Sequence, residues 1–528
     1  MKPGSAGAPT GRARSRAMFV EGREQRRRAA RTGWKIVGSQ DQCALCSGRA
    51  PAILQDNLKR LAGRPPTVAR RLDRLTALAG RTQFREACTS LHSHRVIRLM
   101  YLRPTAAGLL ILATAACSAG ADAGQPGSAP DDPAQAAPPT QERDVRPGIE
   151  VLLGDSLGLV RGRTVGLVTN HTGRDRSGTP SIDLLAAHPE VELVALYSPE
   201  HGIRGSAEAG VRIEDGMDER TGLPVHSLYG ETRKPTDEML DGVEVLLFDI
   251  QDVGARYYTY LSTMALAMEA AGERGIPFVV LDRPNPIGGD PVQGNILDPD
   301  YSSFVGLYPI PMRHGLTAGE FARMAVGEFG VRVDLSVAVA DGWERTMPFE
   351  DTGIPWIAPS PNMPSVESAL HYPGTCLFEG TPVSVGRGTD RAFQQVGAPW
   401  LDGEELAARL TALGVPDARF VPVRFTPESP GDGKFGGVEV GGVRLESNGP
   451  AYDPTLAALA LLVEIRAMSG ERWDWRVGHF DRLAGTDALR NALDAGVSYQ
   501  ALADGWGEGL DEYVARREPY LLYRKEGE

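Results

Sequence analysis

Four short apolar runs, each closed by a polar cluster, constrain this chain more than any other feature. Residues 164–169, 191–196, 243–248 and 277–281 are rich in β-branched and aliphatic side chains and short enough to be strands. Amphipathic stretches separate them. In 260–274, Leu261, Met264, Ala265, Met268 and Ala271 share one helical face ahead of Gly275. Residues 181–187 and 317–329 read as further helices. Apolar strands alternating with helices predict an α/β domain, a doubly wound parallel sheet covered on both faces, over 148–345.

In an open parallel sheet, the carboxyl ends of the strands lie along one edge, where ligands bind. The first run is followed by Asn170-His171-Thr172-Gly173 and the second by Ser198-Pro199-Glu200-His201-Gly202. After the third comes Asp249-Ile-Gln251-Asp252-Val-Gly254-Ala-Arg256, and after the fourth Asp282-Arg283-Pro284-Asn285-Pro286. Any one of these residues serves a turn well. Together they form a polar rim, which predicts the active site.

Residues 346–528 read as a smaller α+β domain beside the first. A stretch dense in Pro and Gly is followed by strands at 419–425 and 437–445, then by a helix opened by Asp453-Pro454 and closed near Gly470. A cleft between the two domains is the expected place for substrate, with Glu379 and Arg387 on its second wall.

Other motifs carry less. Gly154-Asp155-Ser156-Leu157-Gly158 matches a nucleophile elbow, but such an elbow needs a strand before it and a helix after. An esterase using Ser156 is therefore kept only as an alternative. Gly386-Arg387-Gly388-Thr389 lacks the context of a phosphate loop. His201, His314 and His371 lack metal-ligand spacing, so no metal or cofactor is expected.

Charge divides the chain. Residues 1–99 carry 21 Lys and Arg against 6 Asp and Glu; residues 100–528 carry 35 against 62. So acidic a body argues against nucleic acid as a partner. The basic segment includes Arg26-Arg27-Arg28 and a lone Cys43-Ala-Leu-Cys46 pair, half of what a zinc site needs. Downstream, Met100-Tyr-Leu-Arg103, an apolar stretch over 106–116 and Thr114-Ala-Ala-Cys117 read as a lipoprotein signal (100–117). Met100 is the expected start, with 1–99 a mis-called extension. Cys117 is the expected lipid site, although Thr114 departs from the usual leucine and leaves plain signal-peptidase cleavage open. Residues 118–147, rich in Ala, Pro and Gly, read as a tether. The expected location is the cell envelope, periplasm or surface, with contact to membrane by the lipid anchor alone.

The ordered motifs from Gly148 onward resemble glycoside hydrolase family 171, whose characterised activity is exo-β-N-acetylmuramidase. The resemblance rests on Val168-Thr-Asn-His-Thr-Gly173, Ser198-Pro-Glu-His-Gly202, Asp249-Ile-Gln-Asp-Val-Gly-Ala-Arg-Tyr-Tyr-Thr-Tyr260 and Asp282-Arg-Pro-Asn-Pro286. It continues through Pro311-Met-Arg-His-Gly315, Pro359-Ser-Pro-Asn-Met-Pro364, Phe378-Glu-Gly-Thr381, Gly386-Arg-Gly-Thr389, Gly397-Ala-Pro-Trp400 and Arg517-Glu-Pro-Tyr-Leu-Leu-Tyr523. Ala392, before Phe393, stands where that pattern has proline. The resemblance implies a Rossmann-like domain, a smaller second domain, and release of N-acetylmuramic acid from the non-reducing end of peptidoglycan fragments. It also implies Glu200 as the catalytic carboxylate.

Glycoside cleavage needs a proton donor and a second carboxylate. Glu200, oriented by His201, is the expected acid, its proton held by a buried, partly apolar setting. Asp249, Asp252 and Glu379 are the candidate partners. Arg256, Arg313 and Arg387 are candidates for the lactyl carboxylate of muramic acid, because the guanidinium fork matches a carboxylate. Tyr257 and Tyr258 are expected to stack on a sugar face, and Asn170 and Asn285 to bind hydroxyl or acetamido groups. Gln251, Asp282, Arg283, His314 and Asn362, from the same motifs, complete the expected substrate contacts. A tethered protein that binds wall sugars without cleaving them is the alternative from another class.

Overall fold

The computed structural model describes residues 144–523 apart from 206 and 209. The basic segment, the signal with Cys117 and nearly all of the expected tether lie outside the described residues. Twelve strands appear in chain order: β1 Thr164–Thr169, β2 Glu192–Ser198, β3 Gly216–Met217, β4 Pro224–Ser227, β5 Val245–Asp249, β6 Phe278–Leu281, β7 Gln293–Ile296, β8 Pro311–Arg313, β9 Leu335–Ala338, β10 Gln395–Ala398, β11 Ala418–Phe425 and β12 Val440–Ser447.

Seven of these form one sheet in the order β3-β4-β2-β1-β5-β6-β9. All its pairs are parallel except β3 on β4. Without β3, the chain builds outward from β1 to β2 and β4, then returns to β5, β6 and β9 on the other side. That is the Rossmann strand order, with its switch point between β1 and β5.

The apolar runs are continuous because both faces are covered. Val165, Leu167, Val245, Leu247, Val279 and Leu281 point to one face. There they meet Ile149 and Leu152 of α1 (Gly148–Gly154) and Ile182 and Leu185 of α2 (Ser181–Ala187). Val168, Leu246, Phe248, Phe278 and Val280 alternate to the other face. They pack on Leu261, Met264 and Met268 of α3 (Tyr260–Arg274) and Phe321 of α4 (Ala318–Glu328). Gly275 ends α3 at φ 68°, its N–H reaching Ala271 and Gly272 carbonyls. Thr317 and Glu320 start α4 with a reciprocal capping box.

The second part is built on the antiparallel sheet β10-β12-β11. Helices α5 (Val366–Thr375), α6 (Gly403–Leu413) and α7 (Pro454–Ser469) lie around it. Asp453 caps α7 through Thr455 and Leu456 N–H groups, and α7 is buried along most of its length. Four short helices follow: α8 (Val477–Ala484), α9 (Ala488–Asp494), α10 (Tyr499–Asp504) and α11 (Gly507–Arg517). The chain then returns to the first sheet. The Tyr523 hydroxyl donates to Asp282 at 2.7 Å, and Arg517 donates to the carbonyls of Gly289 and Gly315.

Candidate active site

Residues from both parts line one small cavity of about 130 Å³. Glu200, His201, Tyr229, Tyr258 and Thr259 come from the first part, and Glu379, Arg387 and His479 from the second. A larger open cavity of about 1020 Å³ lies elsewhere, bordered by Glu350, Glu367, Arg391 and Arg444. It includes Arg313 but none of the strand-end carboxylates, so the smaller one is the candidate active site.

Glu200 leaves β2 and is 7% exposed. Its Oε1 accepts the Gly210 N–H at 2.8 Å, and its Oε2 accepts the Thr259 hydroxyl at 2.6 Å. Thr259 sits at the N-cap of α3 but makes no capping bond there, which leaves its hydroxyl for Glu200. Tyr229, two residues beyond β4, completes this side. Burial, together with the charge of Glu200 and a hydrogen bond to it, pushes the Tyr229 hydroxyl up to about 12. His201 does not orient Glu200 through its ring. It holds a left-handed backbone at φ 71°, and its Nδ1 donates to the Ala207 carbonyl at 2.6 Å. It thus braces the loop that brings Gly210 back to Glu200.

The second part contributes Glu379 to the lining, on the 3-10 turn Cys376–Gly380, with Arg387 Nε 2.5 Å from its Oε1. Burial alone would raise this carboxyl. Arg387, Lys434 and His479 overcome it and hold Glu379 below the usual range. Lys434 lies beneath the turn, donating to the carbonyls of Val383, Phe378 and Glu379 at 2.9, 3.0 and 3.4 Å. Burial lowers this ammonium to about 8.

The other two partner candidates lie outside the cavity lining. Asp249 is fully buried and bound by Arg283 and the Ser181 hydroxyl. Asp252 accepts the Gly254 N–H at 2.7 Å, and burial pushes it up to about 7. His314, 3.8 Å away and pushed down to about 3 by burial, faces it without lining the cavity.

Several expected substrate contacts are spent on the protein itself. Arg256 donates to the carbonyls of Asn295, Ile310, Leu483 and Ala484, and so ties the two parts together. Arg313 is fixed by Gln293 and the Ile287 carbonyl. Asn170 closes an Asx turn onto Thr172 and donates to Tyr260; Asn285 closes another onto Ile287. Gln251 donates to the carbonyls of Asp252 and Pro284. Asp282 accepts from Thr317, Gly319 and Tyr523, and Asn362 donates to Glu208. Tyr257 and Tyr258 do line the cavity, but both are buried edge-on against Tyr372, which is not a stacking platform. Ser156 follows helix α1 rather than a strand, so no nucleophile elbow forms.

Sequence reasoning missed Tyr229, Thr259, Lys434 and His479. Thr259 alone left a signal, as the residue before a well-marked helix.

A buried glutamate and a half-buried one lining one cavity of an α/β frame are the equipment of a glycoside hydrolase. Family models of exo-β-N-acetylmuramidase NamZ match here, the N-terminal one over residues 165–367 and the C-terminal one over 370–523. The peptidoglycan β-N-acetylmuramidase NamZ of Bacillus subtilis (strain 168) is 44% identical over 381 residues, which is 72% of this chain and 91% of that protein. Crystal structures of two DUF1343 family proteins from Bacteroides fragilis NCTC 9343 superpose with TM-scores of 0.68 and 0.59, at 37% and 33% identity. Each covers 72% of this chain and all of its own. The chain belongs to the NamZ exo-β-N-acetylmuramidase family.

Proposed function

We propose that this protein hydrolyses the terminal glycosidic bond of peptidoglycan fragments and releases N-acetylmuramic acid from the non-reducing end. The observation that carries the reading is the pair Glu200 and Glu379 in one cavity. Glu200 donates its proton to the glycosidic oxygen as the C1–O bond breaks. The ionised Glu379, held by Arg387, supports the positive charge that develops on the sugar ring. Water then supplies the hydroxyl at C1 and its remaining proton passes to the Glu200 carboxylate, so the products are the free sugar and the shortened fragment and the acid is restored.

Glu200→Gln tests this. Release of the chromophore from a chromogenic N-acetylmuramide should fall by about 100- to 10,000-fold, with an unchanged circular dichroism spectrum. Full retained activity removes Glu200 from the mechanism. Mass spectrometry after incubation with a muramic acid–N-acetylglucosamine disaccharide separates cleavage from binding alone. We propose further that the enzyme works in the cell envelope, tethered by lipid at Cys117, which the signal-like segment over 100–117 supports. Intact mass of the natural protein tests the anchor, and a mature chain starting at Met1 refutes it.

A further inference from the structure

N-acetylmuramic acid differs from N-acetylglucosamine by a lactyl ether that ends in a carboxylate. An enzyme selective for it needs a cation near the cavity whose N–H groups the protein has not already used. Arg256 and Arg313 are bound by carbonyls and Gln293. Arg387 is paired with Glu379, and that carboxylate would repel a second one.

Arg233 is different. Its guanidinium lies over the Phe304 ring at 4.1 Å and the Tyr229 ring at 4.8 Å. Those two rings are 5.9 Å apart. Tyr229 lines the cavity beside Glu200, and Val305, next to Phe304, lines it as well; Arg233 does not line it but touches the Tyr229 ring. Arg233 is exposed and has no carboxylate partner among the described residues. The two ring contacts hold the guanidinium in place, and its exposure leaves its N–H groups open to a ligand. The result is a planar cation, held ready, one ring away from Glu200.

We propose that Arg233 is the specificity-determining residue that reads the lactyl carboxylate, so that the site selects sugars carrying an anionic substituent. The inference rests on the hydrolase reading above and names the feature by which the site tells its sugar from a neutral one.

The test compares a chromogenic N-acetylmuramide with its lactyl amide, which has the same shape without the charge. The ratio of kcat/KM values (acid over amide) should fall about 10- to 100-fold in Arg233→Gln, the worth of one charged hydrogen bond. The change should lie in KM. Arg233→Lys should recover part of the ratio, because it keeps the charge but loses the fork. An unchanged ratio overturns the proposal, and so does an equal loss on both substrates. Calorimetry with free N-acetylmuramic acid and its lactyl amide makes the same comparison without turnover. Failure of the hydrolase reading would show as no cleavage of either substrate by the wild type, with the binding preference still measurable.

Discussion

Arg283 closes on Asp249 at 2.6 Å, with both side chains buried, where the two halves of the main sheet diverge. This is the crevice in which open α/β sheets usually seat a ligand. Here the protein fills it with its own charges, and the cavity lies instead beside β2, β4 and the start of α3. Removing one partner leaves the other buried and unpaired. Arg283→Met should therefore cost about 3–5 kcal/mol in urea unfolding, and adding Asp249→Leu should recover part of that. A cost under about 1 kcal/mol would show that the pair is not what holds the crevice shut.

Thr259 allows the geometry of Glu200 to be separated from the stability of the fold. Its hydroxyl serves Glu200 and not the helix it precedes. Thr259→Val should lower kcat by about tenfold, the worth of one hydrogen bond, while leaving the melting temperature near that of the wild type. A large drop in melting temperature would assign Thr259 to the fold instead.

Arg387 sets the charge of Glu379. With the arginine present, the carboxyl titrates below the usual range; without its largest opposing partner, burial is less offset and the carboxyl shifts upward. In Arg387→Met the ionised form then appears only at higher pH. The acid limb of the kcat/KM profile should move upward in pH, and an unmoved limb would take Glu379 out of the rate.

Asp282 couples the end of the chain to pH. Burial pushes it up to about 6, against the opposing bonds from Tyr523, Thr317 and Gly319. Its folded value exceeds its unfolded one, so the stability it contributes is present below about 4 and is lost as pH rises through 6. Asp282→Asn should flatten stability against pH over that window. Tyr523→Phe should cost about 1–3 kcal/mol, because it leaves a buried acceptor short of a donor.

The main sheet was legible where periodicity and punctuation agreed. Helix α3 falls on its expected bounds because an apolar face runs into Gly275, and α4 lies between the flanking residues expected to bound it. Strands β4 and β9 were not legible. Pro224-Val-His-Ser and Leu335-Ser-Val-Ala are short runs interrupted by polar residues, and they become strands by pairing with β2 and β6. Missing β4 meant missing Tyr229. Helix α5 was hidden by Pro373 and Gly374 in its last turn, read as loop. The strand-end carboxyls were recognisable as a group. Which of them remain at the cavity depends on partners far along the chain, such as Tyr523 for Asp282, and no local pattern reveals that.

The cavity draws its two glutamates from segments that separate family models recognise. Neither segment holds a complete site, and Arg256 stitches the seam with carbonyls on both sides of it. Activity in this chain is thus a property of the join. A break between the two segments would make turnover a direct readout of their reassociation, as in a split reporter. Swapping one segment for that of a relative would succeed only where the seam is matched along with the site.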